Sequence, residues 1–206
     1  MGLGALSLPH GLSLVTIADA PPAAWSGLFK PRSRLHIPYA ARTKAERNLL
    51  GARLDAAVTL ADDAVLLVAH GASCFATAWW ARLSPKTYVS RVAGALFFQP
   101  VEEKGGVEGL LDTFASPRTA LPFPSIVLGA DSAQGEISVQ IRTLAAGWGS
   151  AVVERGEASP LRRTRLAIER FTAAVVERDV QVAHRLIGAG SSASRPTLLR
   201  RRADPG

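Results

Sequence analysis

The 206 residues of this chain, 48% hydrophobic and 20% charged, have the composition of a globular protein, which excludes a wholly disordered one. The single cysteine, Cys74, excludes an internal disulfide and a cysteine-rich metal site. The net charge of +7 is concentrated between Arg155 and Arg202, where 11 arginines face four acidic residues. We expect a cytoplasmic protein without a signal peptide or membrane span, since the apolar start lacks basic residues and apolar runs stay below about 18 residues.

The first 154 residues alternate strand-like and helix-like segments, the pattern of a parallel sheet covered by helices. Short apolar runs bounded by turn residues predict strands at 12–17, 34–38, 64–69, 92–98, 124–130 and 151–153. Apolar residues at three- and four-residue spacing predict helices at 44–60, 72–83 and 138–146. The run 64–69 is apolar throughout, so we expect a central strand that is buried on both faces.

The character of the chain changes near residue 160. We predict an α/β domain at 1–160, an amphipathic basic helix at 161–187 and a flexible basic tail at 188–206. We favour docking of this helix on the domain through its apolar side, which carries Ile168, Phe171, Val175, Val182 and Leu186. Its apolar side is also compatible with a homodimer, and its arginines with weak, salt-sensitive attraction of nucleic acid or an acidic partner.

Residues 68–74 read V-A-H-G-A-S-C and form the most informative stretch of the sequence. A buried strand that ends in a sharp turn of small residues before a helix is where many hydrolases hold their nucleophile. Here the residue at the corner is Gly71, which has no side chain. The pattern therefore indicates the frame of a hydrolase site without its reacting atom.

Several segments together resemble one family. They are V-L-L-V-A-H before the corner, R-V-A-G-A-L-F-F, L-P-F-P-S-I-V, R-T-L-A-A-G-W-G-S and a closing G-E-A. In this order they resemble the small serine hydrolases of the retinoblastoma-binding-protein-nine type, a branch of the α/β-hydrolase fold, over roughly residues 49–158. The resemblance implies an α/β fold: a doubly wound, mostly parallel sheet with helices on both faces, here followed by the basic C-terminal helical extension.

The resemblance also implies a Ser-Asp-His triad in that chain order. Its three positions fall on Gly71, Ala133 and Pro160. None of these side chains can attack a carbonyl, orient an imidazole or transfer a proton. In this fold the loop after the first strand supplies an oxyanion donor, but here that loop carries Pro21 and Pro22, which lack a backbone N–H.

A displaced site is the alternative. Ser73 would then be the nucleophile and Asp131 the acid, but Phe75 would stand where the elbow needs a small residue. The competing interpretation is that Ser73 bonds the backbone in the first helical turn. His70 is expected to pack in the core, and no other histidine is an evident base.

The preferred interpretation is a catalytically degenerate protein that binds a small molecule or a protein, rather than an enzyme. A crevice at the carboxyl ends of the strands would hold the ligand; we expect it to be lined by Gly71, Ser73, Gln99, Glu102 and Asp131. The sequence predicts no metal and no cofactor. The alternatives are an esterase-like hydrolase that uses Ser73, and a protein that binds nucleic acid or an acidic partner through its arginine-rich C-terminus.

Overall fold

The computed structural model describes residues 11–19, 34–101, 107–115, 117, 119–129, 135–153, 166–178 and 181. The strands are β1 (Leu12–Ala18), β2 (Arg34–Pro38), β3 (Ala64–His70), β4 (Val92–Phe98), β5 (Ser125–Leu128) and β6 (Ala151–Val153). The helices are α1 (Lys44–Leu60), α2 (Ser73–Leu83), α3 (Lys86–Val89), α4 (Val107–Thr113), α5 (Glu136–Trp148) and α6 (166–178).

The six strands form one sheet in the order β2-β1-β3-β4-β5-β6, and every neighbouring pair is parallel. From β1 the chain moves outward to β2, returns to β3 on the other side and then continues through β4, β5 and β6. The direction of winding therefore reverses between β1 and β3, which confirms the predicted doubly wound sheet. In such sheets ligands bind outside the carboxyl ends of the strands at this reversal.

Helices cover both faces of the sheet. On one face, α1, α2 and α5 pack against inward side chains such as Ile17, Leu67 and Phe97. On the other face, α6 covers the alternate side chains of the same strands, and its Ile168 is fully buried there. Two layers of helices thus exclude water from the central strands, as the uninterrupted apolar run 64–69 predicts.

A bulge in β4 brings α6 close to the sheet. The pairing of β3 with β4 shifts by one residue, since Val65 is opposite Val92 while Leu66 is opposite Gly94. A Cβ atom on Gly94 would lie 2.9 Å from the Phe171 ring of α6 and 3.1 Å from the carbonyl oxygen of Pro124. Glycine at this position therefore permits the close approach of helix and strand.

The ends of the longer helices follow local chemistry. Thr43 and Glu46 form a capping box at the start of α1, in which each side chain accepts the other's backbone N–H. Helix α5 ends at Gly149, whose φ of 68° is left-handed, the conformation that glycine adopts readily at a helix C-terminus.

Most predicted elements are confirmed, and the differences have physical causes. The predicted strand 124–130 is observed at Ser125–Leu128, and it begins after Pro124, which has no N–H for the sheet. The predicted helix 138–146 extends to Glu136–Trp148, because its true C-terminal signal is Gly149. The one- and two-turn helices α3 and α4 were not predicted, since they are too short to show a helical period.

The predicted helix 161–187 is observed as α6 over 166–178. Ile168 and Val175 are buried and Phe171 is half-buried, as expected of its apolar side. Two arginines and two glutamates lie in 166–178, so the arginines that make this end basic, like the predicted tail 188–206, lie outside the described residues. In the described ranges no helix combines the length and apolarity that crossing a membrane requires.

Candidate functional site

The corner after β3 has the geometry of a nucleophile elbow. Strand β3 ends at His70, Gly71 follows with a φ of 61°, and α2 begins at Ser73. The N–H of Gly71 donates to the carbonyl oxygen of Phe98 at 3.0 Å, which fixes the corner against β4. A left-handed φ is unfavourable for an L residue by about 1–2 kcal/mol. Gly71 adopts it without strain, whereas a serine at this position would be strained by that amount.

Ser73 is buried beneath the corner, and its hydroxyl is committed to the backbone. The side chain is 1% exposed, and Oγ accepts the N–H of His70 at 3.0 Å. Its proton points toward two carbonyl oxygens, those of Ile17 at 2.6 Å and His70 at 2.8 Å. Because Ile17 belongs to β1 and His70 to β3, Ser73 joins the two strands where the winding reverses. It therefore lies under the strand ends and not in the crevice that we expected it to line.

Cys74, the next residue, is also buried, and its thiol stays protonated at neutral pH. It is 0% exposed, and its thiol donates to the carbonyl oxygen of Phe98 at 3.6 Å. Burial raises the pKa of the Cys74 thiol well above its usual value. Since the thiolate is the reactive form of cysteine, this side chain is an apolar filler at neutral pH.

Gln99 lies beside Gly71 at the centre of the carboxyl edge. It follows Phe98, which is in register with His70 of β3. Its Oε1 lies 3.1 Å from Nε2 of His70, and since an amide oxygen only accepts, Nε2 carries the proton. Within the described ranges Gln99 is the one non-glycine residue with a positive φ, 45°. Half-buried His70 is thus a partner of Gln99 at the edge and not the packed core residue that we expected.

Tyr39 lies on the other side of the winding reversal, where sequence reasoning missed it. Its N–H donates to the carbonyl oxygen of Ala18 at 2.9 Å, so it stands at the end of β1. The pKa of Tyr39 is raised mainly by burial and further by the charge of Asp19, while Arg47 lowers it. The phenol is therefore neutral at neutral pH, and its ring packs against the hydrophobic core. A tyrosine after a short edge strand carries no sequence signal for this placement.

Several predicted residues lie away from this edge or cannot be placed. His36 faces Thr16 inside the sheet, 3.0 Å from Oγ1 to Nδ1, two residues before β1 ends. Trp80 and Trp148 are buried in the core. The expected site residues Glu102, Asp131, Ala133 and Pro160 lie outside the described residues. Among those described, no three His, Cys, Asp or Glu side chains form a group that could hold a metal ion.

A sequence model of a family described as "Serine hydrolase" matches residues 23–163, which is more than half of the chain. The chain belongs to this serine hydrolase family. The sequence matches none of the curated proteins. The fold of this family member is similar to that of a YdeN-like hydrolase from Pectobacterium atrosepticum, with a TM-score of 0.52 and 14% identity over 80% of this chain and 92% of the other.

A second similar structure is esterase 2 of Thermogutta terrifontis, phosphoramylated by tabun. Its TM-score is 0.46, with 14% identity over 79% of this chain and 83% of the other. Together with the sheet order, the similarity to the YdeN-like hydrolase identifies the α/β-hydrolase-like fold. In a serine hydrolase of that fold the nucleophile stands at the strand-to-helix corner, which in this family member is occupied by Gly71.

Proposed function

We propose that this member of the serine hydrolase family has lost the triad chemistry and acts by binding a small molecule or a protein at the carboxyl edge of its sheet. The observation that carries the proposal is Gly71. Its left-handed φ of 61° and its place between β3 and α2 are those of an elbow nucleophile, but it has no side chain to form a covalent intermediate. The proposal includes the kinship to the retinoblastoma-binding-protein-nine branch and the empty triad positions Ala133 and Pro160.

The surroundings of Ser73 speak against a displaced nucleophile. To attack a substrate, its Oγ would have to leave the carbonyl oxygen of Ile17 and the N–H of His70. Both backbone groups would then stay buried without this partner, which is unfavourable by about 1–3 kcal/mol each. A side chain that is 1% exposed also gives a substrate no approach.

The carboxyl edge keeps the means to bind a ligand. Tyr39 at the end of β1 and the His70–Gln99 pair at the ends of β3 and β4 place polar side chains on both sides of the winding reversal. A few polar groups on a mostly apolar frame are typical of small-molecule sites. Binding needs only these groups, whereas hydrolysis needs the nucleophile and its base.

The test is labelling with a fluorophosphonate probe, which reacts with activated serines. The wild-type chain, Ser73→Ala and Gly71→Ser are compared with an intact serine hydrolase as a positive control. We expect no labelling of the wild-type protein. We also expect no hydrolysis of p-nitrophenyl butyrate by Gly71→Ser. A serine alone is not activated, because Pro160 stands at the position of the base and Ala133 at the position of the acid.

Two outcomes would contradict the proposal. Labelling of the wild-type protein that disappears in Ser73→Ala would make Ser73 a nucleophile. Turnover by Gly71→Ser would mean that a base and an acid are present after all. Circular dichroism of each variant separates a missing reaction from a missing fold.

A further inference from the structure

We infer that Gln99 is the residue that recognises the ligand at this edge, and that the ligand presents a carbonyl oxygen to the Gln99 side-chain NH₂ group. The inference rests on the proposed function, since it concerns the same edge of the sheet. It adds the chemistry of recognition and the residue that determines it.

The backbone of Gln99 is the first observation. A positive φ is uncommon for glutamine, and backbone strain of this kind persists where the surrounding structure imposes it, often at ligand sites. Two anchors hold the residue: its N–H donates to the carbonyl oxygen of Leu128 at 2.8 Å, and its side chain binds His70. The strained φ of 45° thus fixes the direction in which the side chain leaves the sheet.

The polarity of the amide is the second observation. Oε1 of Gln99 is occupied by the N–H of His70, so the NH₂ group is the remaining end of the side chain. In the part of the chain that the structure describes, this NH₂ group donates to no protein acceptor. Gln99 is half-buried, and a half-buried donor is stabilised by an acceptor oxygen. The group selects for a carbonyl oxygen and against an ammonium, which has no acceptor.

The position of Gln99 is the third observation. Phe98, which precedes it, accepts the N–H of Gly71, so Gln99 and Gly71 are neighbours at the ends of β4 and β3. Gly71 has no side chain to compete with a ligand for the Gln99 amide. In our proposal, glycine replaces the reactive serine at position 71, and the Gln99 amide lies beside it. The carboxyl edge of the sheet then recognises a ligand and does not react with it.

The experiment uses the full-length chain labelled with ¹⁵N and three probes of matched alkyl length: butyramide, sodium butyrate and n-butylammonium chloride. The Gln99 NH₂ signal is identified by its absence in Gln99→Met. We expect saturable shifts of this signal with butyramide and butyrate and none with butylammonium. The backbone amides of the corner should report at least a tenfold weaker affinity for both carbonyl probes in Gln99→Met. Gln140→Met, which changes a glutamine on α5, should bind like the wild-type protein.

A comparison of Gln99→Gly with Gln99→Ala tests the strain independently of any probe. Both variants lose the bond to His70, so they differ in backbone freedom alone. At an ordinary position glycine is the less stable of the two, whereas here we expect Gln99→Gly to have the higher urea midpoint. A lower midpoint for Gln99→Gly would overturn the strain on which the inference depends.

Three further results would overturn the inference: no saturable shift of the Gln99 signal, an equal shift with butylammonium, or unchanged affinity in Gln99→Met. Each of them leaves the proposed function standing if the wild-type protein stays unlabelled by the fluorophosphonate. Conversely, fluorophosphonate labelling of the wild-type protein would contradict the loss of catalysis. It would leave the Gln99 titration as a separate test of ligand recognition.

Discussion

Two small residues at the corner after β3 have different physical roles. Gly71 supplies a backbone conformation, the φ of 61° that turns the strand into α2. Ser73 supplies hydrogen bonds, since its Oγ contacts backbone groups of Ile17 and His70 and so joins β1 to β3. In the sequence G-A-S at this corner, the glycine therefore forms the turn and the serine acts as a clamp that joins β1 to β3.

Ser73→Ala should lower the free energy of unfolding by about 1–3 kcal/mol, because it removes the hydrogen bonds that the buried Oγ makes with backbone groups of His70 and Ile17. Urea unfolding of the variant and the wild-type protein measures the loss. Ser90→Ala is the matched control, since Ser90 is exposed and its 3.4 Å bond to Thr87 is local, and it should change stability by less than about 0.5 kcal/mol. Equal losses in the two variants would contradict the clamp.

The conformation of single residues could be predicted where it depends on neighbours in the sequence. The turn signal of His70-Gly71-Ala72 marked the corner, and Ser73 was expected to bond the backbone. Its partner Ile17 lies 56 residues away, so only the pairing of β1 with β3 brings the two together. The positive φ of Gln99 was not predictable either, since glutamine has no preference for that conformation and the anchors come from β3 and β5.

At the scale of elements, the contact between β4 and α6 determines how closely α6 packs on the second face of the sheet. The bulge turns Gly94 toward α6, where the Phe171 ring occupies the space that a side chain would fill. Ile168 and Val175 on the same side of α6 are buried. The helix is therefore held by apolar packing against the strand, and its Arg170, Glu177 and Arg178 are exposed.

Gly94→Ala should destabilise the protein by about 1–3 kcal/mol, because the new methyl group overlaps the Phe171 ring and the Pro124 carbonyl. Gly109→Ala is the control: it lies in α4 with nothing within 4 Å of its Cβ position, and it should be neutral or stabilising. In a Phe171→Leu background the loss from Gly94→Ala should shrink, as urea unfolding of the four variants would measure. An unchanged loss there would mean that the ring is not the obstacle.

Elements with a long period or an unbroken apolar run were predictable, and the others were not. The 17 residues of α1 contain enough turns for Leu50, Leu54 and Val58 to mark its buried side, and the capping box fixes its start. The four residues of α3 complete about one turn, which no periodicity can reveal. The doubly wound, mostly parallel sheet followed from the resemblance to a known family and not from any single segment.

At the scale of the whole molecule, Cys74 reports on the integrity of the core. Its thiol is fully buried among side chains of the α2 side of the sheet, and its pKa is raised by that burial. The unfolded chain, whose thiol has a pKa of about 8.5, loses the proton at lower pH than the folded one. Ionisation therefore stabilises the unfolded state, and the stability that the buried neutral thiol contributes is present below pH 8.5 and is lost above it.

The free energy of unfolding should consequently fall between pH 7.5 and 9.5 by about 1 kcal/mol more in the wild-type protein than in Cys74→Ala. Urea unfolding at the two pH values measures both slopes. The alanine variant is less stable at every pH because of the cavity it creates, so the comparison concerns the change with pH alone. Identical slopes would mean that the thiol ionises equally in both states.

The place of β1 in the sheet has a consequence for biosynthesis. This strand leaves the ribosome before its partners, yet it lies between β2 and β3, and Leu12 pairs with Ala64. At a synthesis rate of about 5–20 residues per second, the roughly 50 intervening residues take about 3–10 s to follow. During that interval seven residues that are all buried in the finished protein are exposed to the cell. We therefore expect β1 to be the segment on which a nascent chain of this protein depends most for protection by chaperones.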